Sequence, residues 1–444
     1  MNISEVKTNL FSPISIIILA AFGIRLTVAL LFSPPLLSDE VDYAALGNSV
    51  AHGTGFSLDG TITASRAPAY PAMIAFCFSL FNYSIPAVRV FQAVADTLTC
   101  FLIFYFCRNI FSIRTAYIAF IAYALFPGNA LYVSLLMTEI VFTTCLMASV
   151  LLATSEYLKR SLILKLLFGG ALAVMTLLKP SASVIIIFFA VWEWYRSRSL
   201  KTTVTKYLYV AVAFAMILSP WMVRNTIQFG HAALTSNGGV NFWIGHNEQA
   251  TGSFRYYAEN NPLENVSGEF ERSQFAFHEG LIYMVSHPLR ELQLIVLKFI
   301  HLFEPDFALM QSLLYRPEWK TYAHAIQIYR EFPPILAVLI HLFSGGLIIA
   351  GLWGLIFVQD SEKKYFMLMN ILIAGWIGIH LVFFSVARYR IPLVPLFIIL
   401  GANAYEVWKS KTYIITPLRK FIFTFISLLL VGSWTAIFGL IYLV

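Results

Sequence analysis

Charged side chains are scarce. Only 12% of the 444 residues are Asp, Glu, Lys or Arg, against about 25% in an ordinary soluble domain. That deficit excludes a solvated globular protein. With 59% hydrophobic and 16% aromatic residues, the composition points to an all-α polytopic membrane protein, because several apolar runs approach the roughly 20 residues that cross a bilayer as helix. Cysteine is also sparse. Cys77, Cys100, Cys107 and Cys145 lie inside apolar runs with no CxxC pair, so they read as packing residues and not as metal ligands or disulfides. No phosphate loop is present: "LFGGALAVM" lacks the lysine and the spacing, so no nucleotide is expected. The first apolar run, about 10–32, is too long for a signal-peptide core and reads as a retained first helix. Coiled coil, low-complexity tracts and the inverted repeats of many transporters are absent too.

What is present divides into spans and loops. Helices are expected at roughly 10–32, 85–107, 115–133, 139–156, 163–178, 181–195, 206–222, 333–357, 365–386, 391–408 and 419–443, about eleven in all. The Pro- and aromatic-rich segment 67–82 reads as a juxtamembrane helix, and 290–304 as a partial or extra span. Lys and Arg decide the orientation. Arg108, Arg114, Lys159, Arg160, Lys165, Arg196, Arg198, Lys201, Lys206, Lys363, Lys364, Lys409, Lys411, Arg419 and Lys420 fall in one set of short loops, which the positive-inside rule makes cytoplasmic. The net charge of +7 is therefore topological, and nucleic acid is not an expected partner. The segments 33–84 and 223–332, which hold most of the carboxylates, fall outside. This gives an N-terminal transmembrane module, 1–222, an external loop or cap, 223–332, and C-terminal transmembrane helices, 333–444.

The first external segment, "SDEVDYAALGNSVAHGTGFSLDGTITASRAPAYP", carries the densest chemistry. Asp39, Glu40 and Asp42 crowd its start, Tyr43 follows, and Arg66 precedes Tyr70 near its end. First-turn acids complement a helix dipole and need no further role. Yet Asp39, Asp42 and Tyr43 share one helical face, and a carboxylate at the mouth of a bundle can take a proton from an acceptor hydroxyl. Gly53 and Gly55 permit a tight turn between two juxtamembrane helices. Downstream, "PGNALYVSLLMTEIVF" puts Glu139 at the outer end of a helix, and an ionisable residue there is a functional candidate by default. "MTLLKPSAS" sets Lys179 before Pro180 in a turn between spans. "SPWMVRNTIQFGHAALTSNGGVNFWIGHNEQATGSF" gathers Arg224, Asn225, Asn237, Gly238, Gly239, Asn241, His246 and Asn247. Its Asn-Gly-Gly is expected to turn sharply with positive φ, exposing N–H groups that can hold an anion. "SVARYRIPLVPL" puts Arg388 and Arg390 on the outer side, against the positive-inside rule, so both ask for an anionic partner.

This layout resembles the first external loop and later motifs of the C-type (GT-C) membrane glycosyltransferases. More narrowly it is similar to the family-39 relatives of protein O-mannosyltransferases and of the lipid A aminoarabinose transferase. The likeness runs through about residues 20–260, with an echo at 385–396. It departs at His246, where relatives often carry Asn. The resemblance implies the GT-C architecture and an inverting transfer of a sugar from a polyprenyl-phosphate donor to a lipid, glycan or protein hydroxyl. It places the active site on the external face of a cell inner membrane. It implies Asp39 as base, with Glu40 and Glu139 as further catalytic candidates. Arg66, Arg224, Arg388, Arg390 and Lys179 would face the donor phosphate. Asp42, Tyr43, Tyr70, Asn225, Asn237, Gly238, Gly239, Asn241, His246 and Asn247 would contact substrate. No cofactor or metal is expected, although "DEVD" offers oxygen ligands. A lipid-linked sugar transporter, or a polymerase or ligase of diphosphate-linked glycans, is the alternative.

Overall fold

The computed structural model describes residues 13–255, 261–305, 333–357, 362–410 and 417–442. The helices are α1 (Pro13–Leu31), α2 (Asp39–Ala51), α3 (Ala69–Phe81), α4 (Ile85–Ile110), α5 (Ile113–Ala124), α6 (Pro127–Tyr132), α7 (Glu139–Thr154), α8 (Leu162–Leu178) and α9 (Ile185–Ser197). There follow α10 (Leu200–Phe229), α11 (Gly238–Ile244), α12 (Glu269–Ser286), α13 (Pro288–Phe303), α14 (Pro334–Gly354), α15 (Lys363–Val382), α16 (Val394–Ser410) and α17 (Pro417–Tyr442). A two-stranded hairpin, β1 (Ser57–Leu58) and β2 (Thr61–Ile62), lies between α2 and α3. Its two-residue turn is Asp59-Gly60, with φ of 48° and 77°, the backbone that suits a tight hairpin.

Among the described residues seven helical segments are long and apolar enough to cross a membrane: α1, α4, α10, 337–354 of α14, α15, 387–410 with α16, and 417–439 of α17. The other four expected spans are met by shorter helices. The run 115–133 is two helices, α5 and α6, because Pro127 cannot continue the first. The run 181–195 opens as a 3₁₀ turn, Pro180–Val184, before α9. The expected end at 222 falls inside α10, which carries Pro220 internally and continues to a left-handed cap at Gly230, φ 76°. Of the expected cap, 256–260 and 306–332 lie outside the described residues, as does Lys411.

Helices pack closely where they present small residues, as membrane helices do without a hydrophobic drive between them. A Cβ at Gly351 or Gly354 of α14 would collide with Phe397 and Leu400 of α16, and one at Gly169 of α8 with the Val210 carbonyl of α10. Between α1 and α4 an ion pair is sealed from solvent: Arg25 Nε meets Asp96 Oδ2 at 2.5 Å, both side chains fully buried. Tyr123 donates to Asp96 Oδ1 at 2.6 Å, Asn129 donates to Tyr123, and Arg25 also reaches the Tyr123 and Ala124 carbonyls. At the basic end, Glu193 of α9 accepts from Lys206 and Arg196, and Trp192 donates to the Lys364 carbonyl. At the opposite end the α1–α2 connection, the starts of α4 and α7, the α8–α9 turn and the α15–α16 turn come together. Arg89 of α4 donates to the Pro34 and Ser134 carbonyls there. The candidate site is built from these chain turns.

Candidate active site

The site begins at a strained residue. Ser38 has φ 51°, uncommon without glycine, and α2 starts immediately after it with three acids in its first turn. They take different directions. Glu40 turns inward, 2% exposed, and accepts the backbone N–H of Leu136 at 2.7 Å and of Leu37 at 3.2 Å. It ties α2 to the segment before α7 and does not line the cavity. Burial raises its carboxyl to about 7 against the pull of these two hydrogen bonds. Asp39 and Asp42, one turn apart, both face Arg66, whose Nη2 lies 2.7 Å from Asp39 Oδ1 and 2.8 Å from Asp42 Oδ2. The segment leading to Arg66 is pinned from outside by Glu269, which accepts from the Thr63 hydroxyl and the Ala64 N–H.

Arg388 completes the cluster from the 3₁₀ turn Ala387–Leu393. Its Nη2 lies 2.5 Å from Asp39 Oδ2 and its Nε 3.8 Å from Glu139 Oε1. Glu139, first residue of α7, accepts from Lys179 Nζ at 2.8 Å, and that ammonium sits 4.8 Å over the Tyr389 ring. Carboxylates and cations therefore alternate in a line: Asp42, Arg66, Asp39, Arg388, Glu139, Lys179. Burial pushes the Asp39 carboxyl up, but Arg388 and Arg66 outweigh it and hold that group well below the usual carboxylate range.

A cavity of about 520 Å³ opens onto this line. Two carboxylates, Asp39 and Glu139, and three cations, Arg66, Lys179 and Arg388, line it, so its wall carries one excess positive charge and favours an anion. Tyr43, Asn237, Gly238 and Asn241 line it as well, while Val382, Phe383 and Phe384 give it an apolar side. His380 is a wall residue that sequence reasoning missed. It is 5% exposed, stacks on Tyr389 at 4.4 Å, and its Nε2 has no hydrogen-bond partner. The available signal was a lone ionisable residue in the last turn of an apolar helix.

Other expected site residues stand apart from the cavity. Arg224 donates to the Thr63 and Phe56 carbonyls and to Asn225, with its guanidinium 4.7 Å from the Trp221 ring centre. It braces the first loop against α10. Asn225 donates to the Ala233 carbonyl. Arg390 donates to the Leu302 and Glu304 carbonyls and caps the C-terminus of α13, where a cation suits the dipole. Tyr70 donates to Gln92, Asn247 to the Trp243 carbonyl, and His246 lies against the Val382 carbonyl and Lys298. Asp42 reaches the site only through Arg66. The expected positive-φ turn at Asn-Gly-Gly is not formed. Asn237 has φ −89°, and Gly238-Gly239 open α11. Glycine is required at 239 for another reason: a Cβ there would overlap the Ser273 carbonyl oxygen of α12.

Residues 65–223 match the family model of dolichyl-phosphate-mannose-protein mannosyltransferases. They carry Arg66, Glu139 and Lys179 of the site. The whole chain is similar to the archaeal oligosaccharyltransferase AglB from Archaeoglobus fulgidus, solved in complex with an inhibitory peptide and a dolichol-phosphate, at 13% identity and TM-score 0.50. It is similar to ArnT from Cupriavidus metallidurans in the apo state at 12% identity and TM-score 0.55. The chain has the GT-C fold of these neighbours. This GT-C chain is covered over 95% and 88% of its length in those likenesses, and spans 55% of the AglB chain and 59% of the ArnT chain. No curated protein matches it.

Proposed function

We propose that this GT-C protein transfers a sugar from a polyprenyl-phosphate carrier to an acceptor hydroxyl, with inversion, at the external face of a cell inner membrane. One observation carries the reading: Asp39 is held between Arg66 and Arg388 at the edge of a cavity with an excess cation. An anionic head entering beside Asp39 competes for these guanidiniums, whose forked donors suit phosphate oxygens. As they turn to phosphate, Asp39 loses the partners that depress its pKa and becomes a better proton acceptor. Donor binding thus prepares the base. Charge that grows on the leaving phosphate in the transition state meets Arg66, Arg388 and Lys179, and such fixed cations supply the largest catalytic term in many enzymes. The apolar wall at Val382–Phe384 suits the first isoprene units. The dolichol-phosphate in the AglB complex is a carrier of the same chemical class.

No cofactor enters this reading. Asp39 and Glu139 already face cations, a donor set suited to an anionic ligand more than to a divalent ion.

The test is turnover by purified protein in detergent, supplied with a polyprenyl-phosphate sugar and an envelope extract as acceptor. Release of polyprenyl phosphate together with labelled acceptor is the expected result. Activity that appears only across a sealed bilayer would make the protein a transporter, and turnover only with diphosphate-linked glycans would make it a polymerase or ligase.

A further inference from the structure

The helices α12 and α13 are amphipathic in an unusual sense. Along α13 the inward positions are Glu291, Leu294, Lys298 and Leu302, all buried. The outward positions are Leu289, Leu292, Ile295 and Val296, which are 77%, 62%, 42% and 49% exposed, with Gln293 beside them accepting from Arg290. The buried charges have partners inside: Glu291 Oε2 lies 2.8 Å from His246 Nδ1, and Lys298 Nζ lies 3.3 Å from His246 Nε2. A helix standing in water turns the opposite way, leucine inward and lysine and glutamate outward. The preceding helix changes character along its axis. The first turns of α12 expose Glu271, Arg272, Gln274 and His278 beside Phe275 and Phe277, whereas its last turns expose Leu281, Ile282 and Val285 with no charged residue among them.

We infer that α12 and α13, joined at His287, are seated in the lipid leaflet on the site's side of the membrane, with the apolar positions from Leu281 to Val296 in contact with acyl chains. Two further observations choose lipid as the occupant. The far end of α13 is tied into segments that lie in the bilayer: Trp434 of α17 donates to the Phe303 carbonyl, and Arg390 caps Leu302 and Glu304. The apolar positions of α12 and α13 therefore continue the lipid face that α17 presents through Leu428 and Val431, 66% and 45% exposed. Arg290, Glu291 and Lys298 lie along the 16 residues of α13, which is not among the helices long and apolar enough to cross a membrane. On this reading it enters one leaflet without crossing, the partial-span form of the expectation at 290–304. An apolar face sunk about 5–10 Å at the headgroup boundary is the usual seat of such helices.

The seat also sets the level of the cavity. Phe242 of α11 stacks on His246 at 4.3 Å and packs against Phe277 of α12 at 4.9 Å and Phe383 of the cavity wall at 6.1 Å. Through these contacts α12 holds the cavity wall at the boundary between headgroups and acyl chains. The inference needs only the membrane reading and is independent of what the site transfers.

The test uses the wild-type full chain in phosphatidylethanolamine–phosphatidylglycerol vesicles, with a membrane-partitioned diazirine as photolabel and peptide mass spectrometry as readout. Peptides covering 281–296 should be labelled as strongly as α17 and at least fivefold above 269–279. Hydroxyl-radical footprinting from the aqueous side should give the reverse order. Aqueous modification of 281–296 at the level of 269–279 would overturn the inference by placing these positions in water. Protection of 281–296 from both reagents would also overturn it, since a protein surface, such as a second copy, would then cover them.

Discussion

Asp39 and Arg388 are 349 positions apart in the chain and meet at 2.5 Å. The first lies just beyond the first membrane helix, the second between two of the last. Arg388 also stands 3.8 Å from Glu139, so one guanidinium joins the starts of α2 and α7 to the C-terminal helices. The cavity wall is therefore complete only when the two ends of the chain are packed together.

Replacing Asp39 by Asn keeps the shape of the side chain and removes its capacity to take a proton. Sugar transfer should fall by about 10²–10⁴-fold, the usual worth of a general base. Donor binding should persist or tighten, because Arg66 and Arg388 lose the carboxylate that competes with phosphate for them. Rates of polyprenyl phosphate release, compared with donor affinity by titration, separate the two effects. Transfer by Asp39→Asn at the wild-type rate would remove this residue from the chemistry.

Arg388 and Arg390 are two residues apart and should fail differently. Arg388→Ala leaves Asp39 and Glu139 short of a cation at the cavity wall, and the donor KM should rise about tenfold or more, roughly 1.4 kcal/mol of binding. Arg388→Lys should recover only part of this, since an ammonium lacks the fork that reaches two carboxylates. Arg390→Ala should leave the donor KM alone and lower stability by about 2 kcal/mol, because the buried Leu302 and half-buried Glu304 carbonyls lose a charged donor. Donor kinetics and thermal melts of the three variants check the contrast.

The difference between these arginines shows what the sequence could and could not display. Hydropathy placed most spans, since a stretch of apolar residues as long as a bilayer has few other solutions. Glu139 and Arg388 stood out because charge at a membrane boundary is costly and needs a reason, whereas Asp39, Arg66 and Lys179 were singled out by the family resemblance. Direction was not legible. Glu40 follows Asp39 directly and turns away from the cavity, and within one polar run Arg224 and His246 stand apart from the site while Asn237, Gly238 and Asn241 line it. Chain spacing records neither. Pairs that neutralise each other inside the bundle, such as Arg25 with Asp96, become visible only when the helices are packed. A single histidine near the end of an apolar helix gives little signal, and only the rings of Trp376, one turn back, and Tyr389, in the turn that follows, packed against His380 set it in the cavity wall.

Glu40 predicts a pH dependence of stability. Its folded pKa, about 7, lies above the ordinary 4.5 because burial disfavours the charged form. Stability tied to the protonated carboxyl is fully present below about pH 4.5 and is lost as pH rises through about 7. Asp39 has the opposite sign: its contribution is present above the ordinary value of 3.8 and lost only as pH falls below it, outside that window. Melting temperature should therefore decline between pH 5 and pH 8 in the wild type and stay nearly flat in Glu40→Gln. Parallel slopes for the two proteins would show that Glu40 does not titrate there.

Asp96 belongs to a second buried charge cluster. Its partner Arg25 is 0% exposed, and replacing Asp96 by Ala strands a guanidinium among apolar helices. Breaking one side of a buried pair costs about 3–5 kcal/mol, whereas replacing both sides with apolar residues of similar volume is often neutral or stabilising. Asp96→Leu should thus lower folded yield and melting temperature sharply, and Arg25→Met with Asp96→Leu should recover most of the loss. Tyr123 keeps some cost in the double variant, because its hydroxyl donates to Asp96 at 2.6 Å and would lose that acceptor. Neither substitution touches the cavity, so the recovered double variant should transfer sugar at close to the wild-type rate. Failure of the double variant to regain stability would show that the pair has a role beyond mutual neutralisation, such as fixing the register of α1 against α4.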